Sequence, residues 1–148
     1  SINPISNCLL ALFNNSIFVF VIEFIDSVVR RATNGLERYN AIRGYTSDSF
    51  GMLCNVLTLY LSSKELHKAN ILFNVMKSTH LTENLVKERL YLTFYQGIVE
   101  LIIQKDMTGK NKINNSLNIC DYLNLVESKK SMTKLFSFLC QLYEIPAQ

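Results

Sequence analysis

The chain has 148 residues, of which 49% are hydrophobic, and its 15 basic and 12 acidic side chains give a net charge of +3. A chain of this length buries roughly 70% of the surface that its unfolded form exposes, so it needs neither disulfides nor a metal to be stable. The small charge excess argues against nucleic acid or an anionic membrane as its principal partner. With only 2 prolines and 5 glycines, the apolar residues favour a single all-α domain spanning residues 1–148.

The most hydrophobic segment, residues 17–31, predicts a helix with one polar stripe. Asn14, Asn15 and several charged residues interrupt the apolar run, which is too short for a membrane span. A basic region and a small-residue cleavage site, which a signal peptide would need, are also missing. The stripe follows helical spacing and consists of Glu23, Asp26, Ser27 and Arg30. It is either a solvated face with an internal ion pair, Glu23/Arg30 or Asp26/Arg30, or the lining of a groove for the polar backbone or terminus of a ligand.

A second polar face follows on the next predicted helix. Residues 32–46 are interpreted as a loop that includes a short helix around residues 36–43. Ser47 and Asp48 are then expected to cap a helix that runs to about Ser62. Its apolar face comprises Leu53, Val56, Leu57, Tyr60 and Leu61, and its opposite face comprises Gly51, Asn55, Thr58 and Ser62. The polar face is either simply exposed or clamps an extended peptide through the Asn55 amide.

A helical hairpin is repeated with an offset of 41 residues. Residues 61–66 (LSSKEL) are echoed by residues 102–107 (IIQKDM), Leu57 by Ile98, and Leu72 by Ile113. Repeats of this length built from two helices are typical of stacked helical-hairpin arrays. We therefore predict a tetratricopeptide-like, right-handed superhelical array with a C-terminal capping helix.

The longest helix of this repeat is predicted at about residues 85–105 and is apolar on two sides, as expected for a helix between two layers. Gly97 in its middle would cost about 1 kcal/mol relative to Ala, which makes sense if a neighbouring helix packs closely there. Tyr91, Tyr95 and Gln96 offer polar groups in this environment and are candidate ligand contacts. The flanking helices are predicted at residues 66–79 and 113–123. Leu123 is expected on the apolar face of the second of these, and Thr82 offers an N-cap for the longest helix.

The last apolar stripe predicts a capping helix that contributes to a dimer interface. Its candidate interface residues are Leu135, Phe136, Leu139 and Leu142, and Met132 lies on the same stripe.

The sequence contains no catalytic or metal-binding motif. A phosphate-binding loop, an H-E-x-x-H helix, a nucleophile elbow and a Cys/His cluster are all missing, so we expect neither an enzyme nor a bound cofactor. Cys8, Cys54, Cys120 and Cys140 lie among apolar neighbours and are expected to be buried free thiols in a reducing cytoplasm.

A family resemblance covers nearly the whole chain from Leu9 onward. It is carried by residues 12–16 (LFNNS), 55–61 (NVLTLYL), 64–66 (KEL), 94–97 (FYQG) and 119–125 (ICDYLNL). This pattern resembles the C-terminal regulatory domain of the Rgg/GadR/MutR transcriptional regulators of Gram-positive bacteria. Phe94 and Gly97 match the family's aromatic-x-x-Gly position, whereas Asn14-Asn15 departs from its more usual Gly-Asn.

The resemblance implies a dimeric regulatory domain that binds a short signalling peptide on its concave face. An N-terminal helix-turn-helix would read the DNA and would precede this chain, which does not begin with Met and is expected to be a piece of a longer regulator. Two alternatives stay open: a helical-repeat scaffold that binds a protein partner without switching, and a regulator with a small apolar ligand between the layers near Tyr91 and Tyr95.

Overall fold

The computed structural model describes residues 43–79 and 81–146, together with Asp26, Ser27 and Arg30, whose backbone is helical. The chain divides into two compact units, 1–64 and 65–148. Glu23, Cys8, the Asn14-Asn15 pair, most of the predicted helix at residues 17–31 and most of the predicted loop at residues 32–46 lie outside the described residues.

Five helices with known bounds account for most of the described chain. They are α1 (Arg43–Ser62), α2 (Leu66–Ser78), α3 (Val86–Ile102), α4 (Gly109–Tyr122) and α5 (Val126–Leu142). The described residues include no strand, which confirms the all-α class. The superhelical arrangement stays a prediction.

Helix α1 of the first unit begins earlier than predicted. It starts at Arg43 rather than at the Ser47-Asp48 pair, and it ends at Ser62 as predicted. Ser and Asp favour N-cap positions, but this preference is weak when the preceding residues can extend the helix. The apolar face is confirmed, since Leu53, Leu57 and Leu61 have no exposed surface.

Helix α3 is the central element of the second unit, where it packs against both α2 and α4. Leu90, Phe94, Ile98 and Leu101 are at most 5% exposed. On the opposite side Val99 is also buried, whereas Leu92 and Ile103 are half-buried. Helix α3 is therefore fully buried on the side of Leu90, Phe94 and Ile98 and only partly buried on the opposite side, and its position between two layers stays a prediction.

The close approach predicted at Gly97 is also confirmed. A Cβ atom added to Gly97 would lie 2.6 Å from the carbonyl oxygen of Gly109 and 2.8 Å from a side-chain carbon of Ile113. Gly109, the first residue of α4, faces Gly97 in the same way, because a Cβ there would lie 2.9 Å from the Leu101 nitrogen. The backbones of α3 and α4 therefore meet directly, with no side chain between them.

The helix ends repeat the spacing seen in the sequence. Lys64 and Lys105, separated by 41 residues (105 − 64), follow α1 and α3, and both have a φ of 59°. Asn124 and Glu144 follow α4 and α5 with φ values of 53° and 54°. Four of the five helices thus end with a left-handed residue that is not glycine, although glycine is the usual residue at this position, whereas α2 is followed by Thr79 in an extended conformation.

The ends of α4 and α5 form the same Schellman arrangement. The Leu125 N–H donates to the Cys120 carbonyl at 2.8 Å, and the Ile145 N–H donates to the Cys140 carbonyl at 2.9 Å. In both motifs the left-handed residue donates to the carbonyl three positions earlier. These hydrogen bonds satisfy carbonyls that a helix end leaves free and turn the chain out of each helix.

Two expectations for side chains are wrong. Leu123, expected in the core of α4, lies one residue beyond the helix and is 51% exposed, because the turn at Asn124 takes it off the apolar face. Thr82, expected to cap α3, makes no side-chain cap hydrogen bond; the N-cap residue is Leu85.

Candidate functional site

An open polar strip runs along α1 in the first unit and consists of Gly51, Asn55 and Thr58. Gly51 and Asn55 are exposed and Thr58 is half-buried. Among the described residues, no atom lies within 4 Å of a Cβ added to Gly51, so none of them packs against this face of α1 at Gly51. The strip therefore leaves the Asn55 amide accessible, with a hydrogen-bond donor and an acceptor available to a ligand.

Asp26, from the predicted polar stripe, contacts α1. The Tyr60 hydroxyl, on a residue only 3% exposed, donates a hydrogen bond to the Asp26 carboxylate. Asp26 is half-buried, and Arg30, one turn further on, is exposed. Asp26 therefore contacts α1 through its carboxylate, and Arg30 has an exposed side chain. The buried face of α1 hinted at this contact, since a buried tyrosine hydroxyl usually finds a partner.

Gln96 belongs to a polar cluster that joins α3 to α4. Its Nε2 donates to Glu100 Oε1 at 2.9 Å, and Lys112 Nζ from α4 donates to both Glu100 oxygens at 2.7 and 2.8 Å. We call these three residues the Glu100 cluster. The hydrogen bond from Lys112 holds the pKa of Glu100 below its usual value, against the opposing effect of burial, and Gln96 adds to the lowering. Gln96 thus has a structural partner within the chain.

Tyr95 is part of the α3 core. It is 4% exposed, and its ring packs edge-on against Phe94 with centroids 5.5 Å apart. Tyr91, one turn earlier, is half-buried. Asn55 and Thr58 belong to the first unit, whereas Tyr91, Tyr95 and Gln96 belong to the second. Within each unit, the structure pairs Asp26 with Tyr60 and Gln96 with Glu100.

The candidate interface residues on α5 differ in exposure. Leu139 has no exposed surface and belongs to the core, so it offers nothing to a partner. Leu135, Phe136 and Leu142 are half-buried. Phe138, which the sequence analysis missed, is 41% exposed; the signal was its helical spacing from Leu135 and Leu142.

The described residues offer little reactive chemistry. Among them, no three His, Cys, Asp or Glu side chains are placed to hold a metal ion. Cys54 and Cys120 are buried, Cys140 is half-buried, and none of the three forms a disulfide. Burial raises the pKa of the Cys120 and Cys140 thiols, so both stay protonated near neutral pH. None of the described helices has the length and apolar character to cross a membrane.

A comparison with protein-family models identifies the family of the chain. The model described as the C-terminal domain of the HTH-type transcriptional regulator Rgg matches residues 9–134. Searches of curated proteins and of solved structures gave no significant match. The matched segment spans most of the chain and includes α1 to α4 and the first half of α5. The chain therefore belongs to the family of C-terminal domains of Rgg-type transcriptional regulators.

Proposed function

We propose that this domain senses a short apolar signalling peptide through the polar strip of α1 and controls, as a homodimer in the cytoplasm, an attached helix-turn-helix reader of DNA. The family supplies the regulatory role, since its members are C-terminal domains of transcriptional regulators. The observation that carries the binding site is the open face at Gly51 and Asn55, where no atom would meet an added Cβ at Gly51. An extended peptide has backbone N–H and C=O groups without hydrogen-bond partners. It therefore needs an accessible surface with side-chain amides, such as that of Asn55, rather than apolar side chains.

Arg30 supports the same proposal. It is exposed and belongs to the same compact unit as the strip. An arginine in that unit offers a planar set of donors suited to a peptide carboxylate. Asp26 has the different task of holding the Tyr60 hydroxyl, so we assign it to the support of the site.

Peptide binding would regulate by shifting a balance between two arrangements of the dimer. A ligand changes such a balance only as far as its affinity for the two arrangements differs. In one arrangement of the dimer, the distance between the two attached DNA-binding domains would match the distance between the two half-sites of the operator. Regulation thus requires a peptide that binds the strip more tightly in one arrangement of the dimer than in the other.

The test is a thermal-shift screen of the domain against short apolar peptides, including those encoded next to its gene. A ligand at 100 times its dissociation constant adds about 2.7 kcal/mol to the free energy of unfolding, which raises the melting temperature of a domain of this size by roughly 5 to 10 °C. A hit is then titrated by calorimetry against Asn55→Ala and Arg30→Ala. Each loss of a hydrogen bond should weaken binding by about 5- to 30-fold.

Asn74→Ala is the matched control, because Asn74 is an exposed asparagine on α2 and is expected to bind peptide as the wild type does. If Asn55→Ala and Arg30→Ala also bind as the wild type does, the strip is not the site. A screen without any hit on a folded domain would favour the scaffold that binds a protein partner.

A further inference from the structure

A cluster of exposed apolar side chains lies where α4 ends and α5 begins. Ile119 is 41% exposed, Tyr122 88%, Leu123 51% and Val126 69%. We call these four residues the corner patch. They follow one another at intervals of three, one and three residues along a continuous stretch. Soluble proteins usually keep single apolar side chains at the surface, whereas a contiguous group of them marks a binding surface.

A groove of about 390 Å³ adjoins the corner patch and includes Val126 in its lining. Three lysines line it, Lys129, Lys130 and Lys134, against one carboxylate, Asp121. Lys129 Nζ lies 2.6 Å from each Asp121 oxygen. The lining therefore has a net charge of +2 (three lysines minus one aspartate), and this excess corresponds to Lys130 and Lys134, both exposed.

The charge of the groove argues against a second copy of this chain as the occupant. A two-fold symmetric contact places the same surface on both sides. A two-fold contact centred on the groove would bring Lys130 and Lys134 of both copies close together near the axis, and like charges that lie so close are unfavourable. The occupant must bring negative charge and apolar surface together.

Nucleic acid fits this surface less well than protein does. Tyr122 is the one aromatic ring of the patch on which a base could stack, because Ile119, Leu123 and Val126 are aliphatic, and Asp121 would face a phosphate backbone. An amphipathic helix matches both features, since its apolar anchors recur at intervals of three and four residues and its flanks are free to carry carboxylates. We propose that the corner patch and groove bind an acidic amphipathic segment of another protein, with its apolar residues on the patch and its carboxylates on Lys130 and Lys134.

The experiment uses a fluorescein-labelled, amidated helical peptide of about 16 residues with leucines at intervals of three and four and glutamates flanking them. Its binding to the 148-residue chain is followed by fluorescence anisotropy at two salt concentrations. A second probe carries glutamine in place of every glutamate. We expect the acidic probe to bind at least tenfold more tightly than the glutamine probe, and this difference to shrink at high salt.

Two variants test the assigned residues. Lys130→Glu combined with Lys134→Glu should weaken the acidic probe by tenfold or more, and Tyr122→Ala should weaken both probes. The controls are Lys77→Glu combined with Lys87→Glu, two exposed lysines on α2 and α3, and Met107→Ala, an apolar side chain 55% exposed outside the patch. These controls should change binding by less than about twofold.

Three outcomes would overturn the proposal. One is the absence of binding of the acidic probe at about 0.1 mM. Another is an equal loss in the control variants. The third is a single-stranded oligonucleotide that binds more tightly than the peptide and loses its binding in the Lys130→Glu/Lys134→Glu variant, since nucleic acid would then be the occupant.

Discussion

Gly97 lies where the backbones of α3 and α4 are in contact. This contact leaves no space for a methyl group on Gly97. In Gly97→Ala the new Cβ would meet the Gly109 carbonyl oxygen at 2.6 Å, and that oxygen is backbone and unable to turn away. The two helices must separate, so we expect the free energy of unfolding to fall by about 2 to 3 kcal/mol despite the better helix propensity of alanine. Urea denaturation measures this change.

Gly51→Ala is the matched control for that substitution. Gly51 also lies inside a helix, but an added Cβ there meets nothing within 4 Å. Only the conformational entropy of glycine is removed, so this variant should be more stable than the wild type by about 0.5 to 1 kcal/mol. Equal destabilisation of both variants would contradict the direct contact of α3 with α4.

Lys105 holds a left-handed backbone conformation after α3, with a φ of 59°. A side chain in this conformation is strained by contact of its Cβ with the backbone, and glycine is not. Lys105→Gly should therefore raise the free energy of unfolding by about 0.5 to 1 kcal/mol. Lys130→Gly, at an exposed position inside α5, should instead lower it by about 1 kcal/mol, and thermal unfolding distinguishes the two signs.

At the residue scale, the sequence predicted features that depend on the size and polarity of a side chain. It did not predict features that depend on the backbone torsion angles of a residue. The close approach of a second helix at Gly97 could be predicted, because glycine destabilises a helix and is retained inside one mainly where packing requires it. The left-handed Lys64, Lys105 and Glu144 could not, because lysine and glutamate carry no preference for that conformation. The contact of Gln96 with Glu100 was also missed, although the spacing of four residues within one helix permits it.

At the element scale, the Glu100 cluster joins α3 to α4 and gives the fold a dependence on pH. The pKa of Glu100 is lowered in the folded state, first by the hydrogen bond from Lys112. Its stabilising effect is therefore complete well above the ordinary glutamate pKa of about 4.3 and is lost as the pH falls through the lower folded pKa. Because Lys112 is 39% exposed and partly screened, we expect Glu100→Gln to cost about 1 to 2 kcal/mol at pH 7.

The same variant should lose its disadvantage in acid. When the free energy of unfolding is measured by urea denaturation from pH 7 to pH 3, the difference between wild type and Glu100→Gln should narrow below about pH 4.3. Glu83→Gln, at an exposed position before α3, should match the wild type across the range. A constant difference between wild type and Glu100→Gln would show that the pKa of Glu100 is the same in the folded and unfolded states, so that the charge of the carboxylate does not stabilise the fold.

Helix positions could be predicted from the sequence more readily than helix beginnings. The end of α1 at Ser62 and the bounds of α2 agree with the prediction within a residue, because apolar spacing and the following turn both mark them. The beginning of α1 at Arg43 was not predicted, because Ser47 and Asp48 are residue types that favour the N-cap position and suggested a later start. In the four helices that follow α1, no side-chain cap hydrogen bond marks the N-terminus, so capping residues were a poor guide in this chain.

At the scale of the whole molecule, the 41-residue offset is the strongest link between sequence and structure. It relates Lys64 to Lys105, which share the same backbone conformation, and thus the turns that follow α1 and α3. The candidate binding residues fall in both compact units, a division that local periodicity does not reveal. For that reason the sequence identified polar residues of the right kind but did not indicate which of them, such as Gln96 and Asp26, are held by partners within the chain.

Dimerisation is the last prediction, and α5 is the helix on which we expect it to depend. Leu135, Phe138 and Leu142 share one side of α5 by helical spacing; Phe138 is 41% exposed and the other two are half-buried. An exposed aromatic between two partly covered leucines is the kind of anchor that contributes most to an interface. Phe138→Glu should therefore weaken the dimer by about 30-fold or more, the effect of losing roughly 2 kcal/mol. Light scattering after size-exclusion chromatography over a dilution series measures this change in dimer affinity.

The control for this prediction is Met107→Glu, the same kind of change at a side chain that is 55% exposed and lies outside α5. This variant should leave the dimer intact. A dimer that survives Phe138→Glu, or dissociates in both variants, would show that the copies meet through another surface.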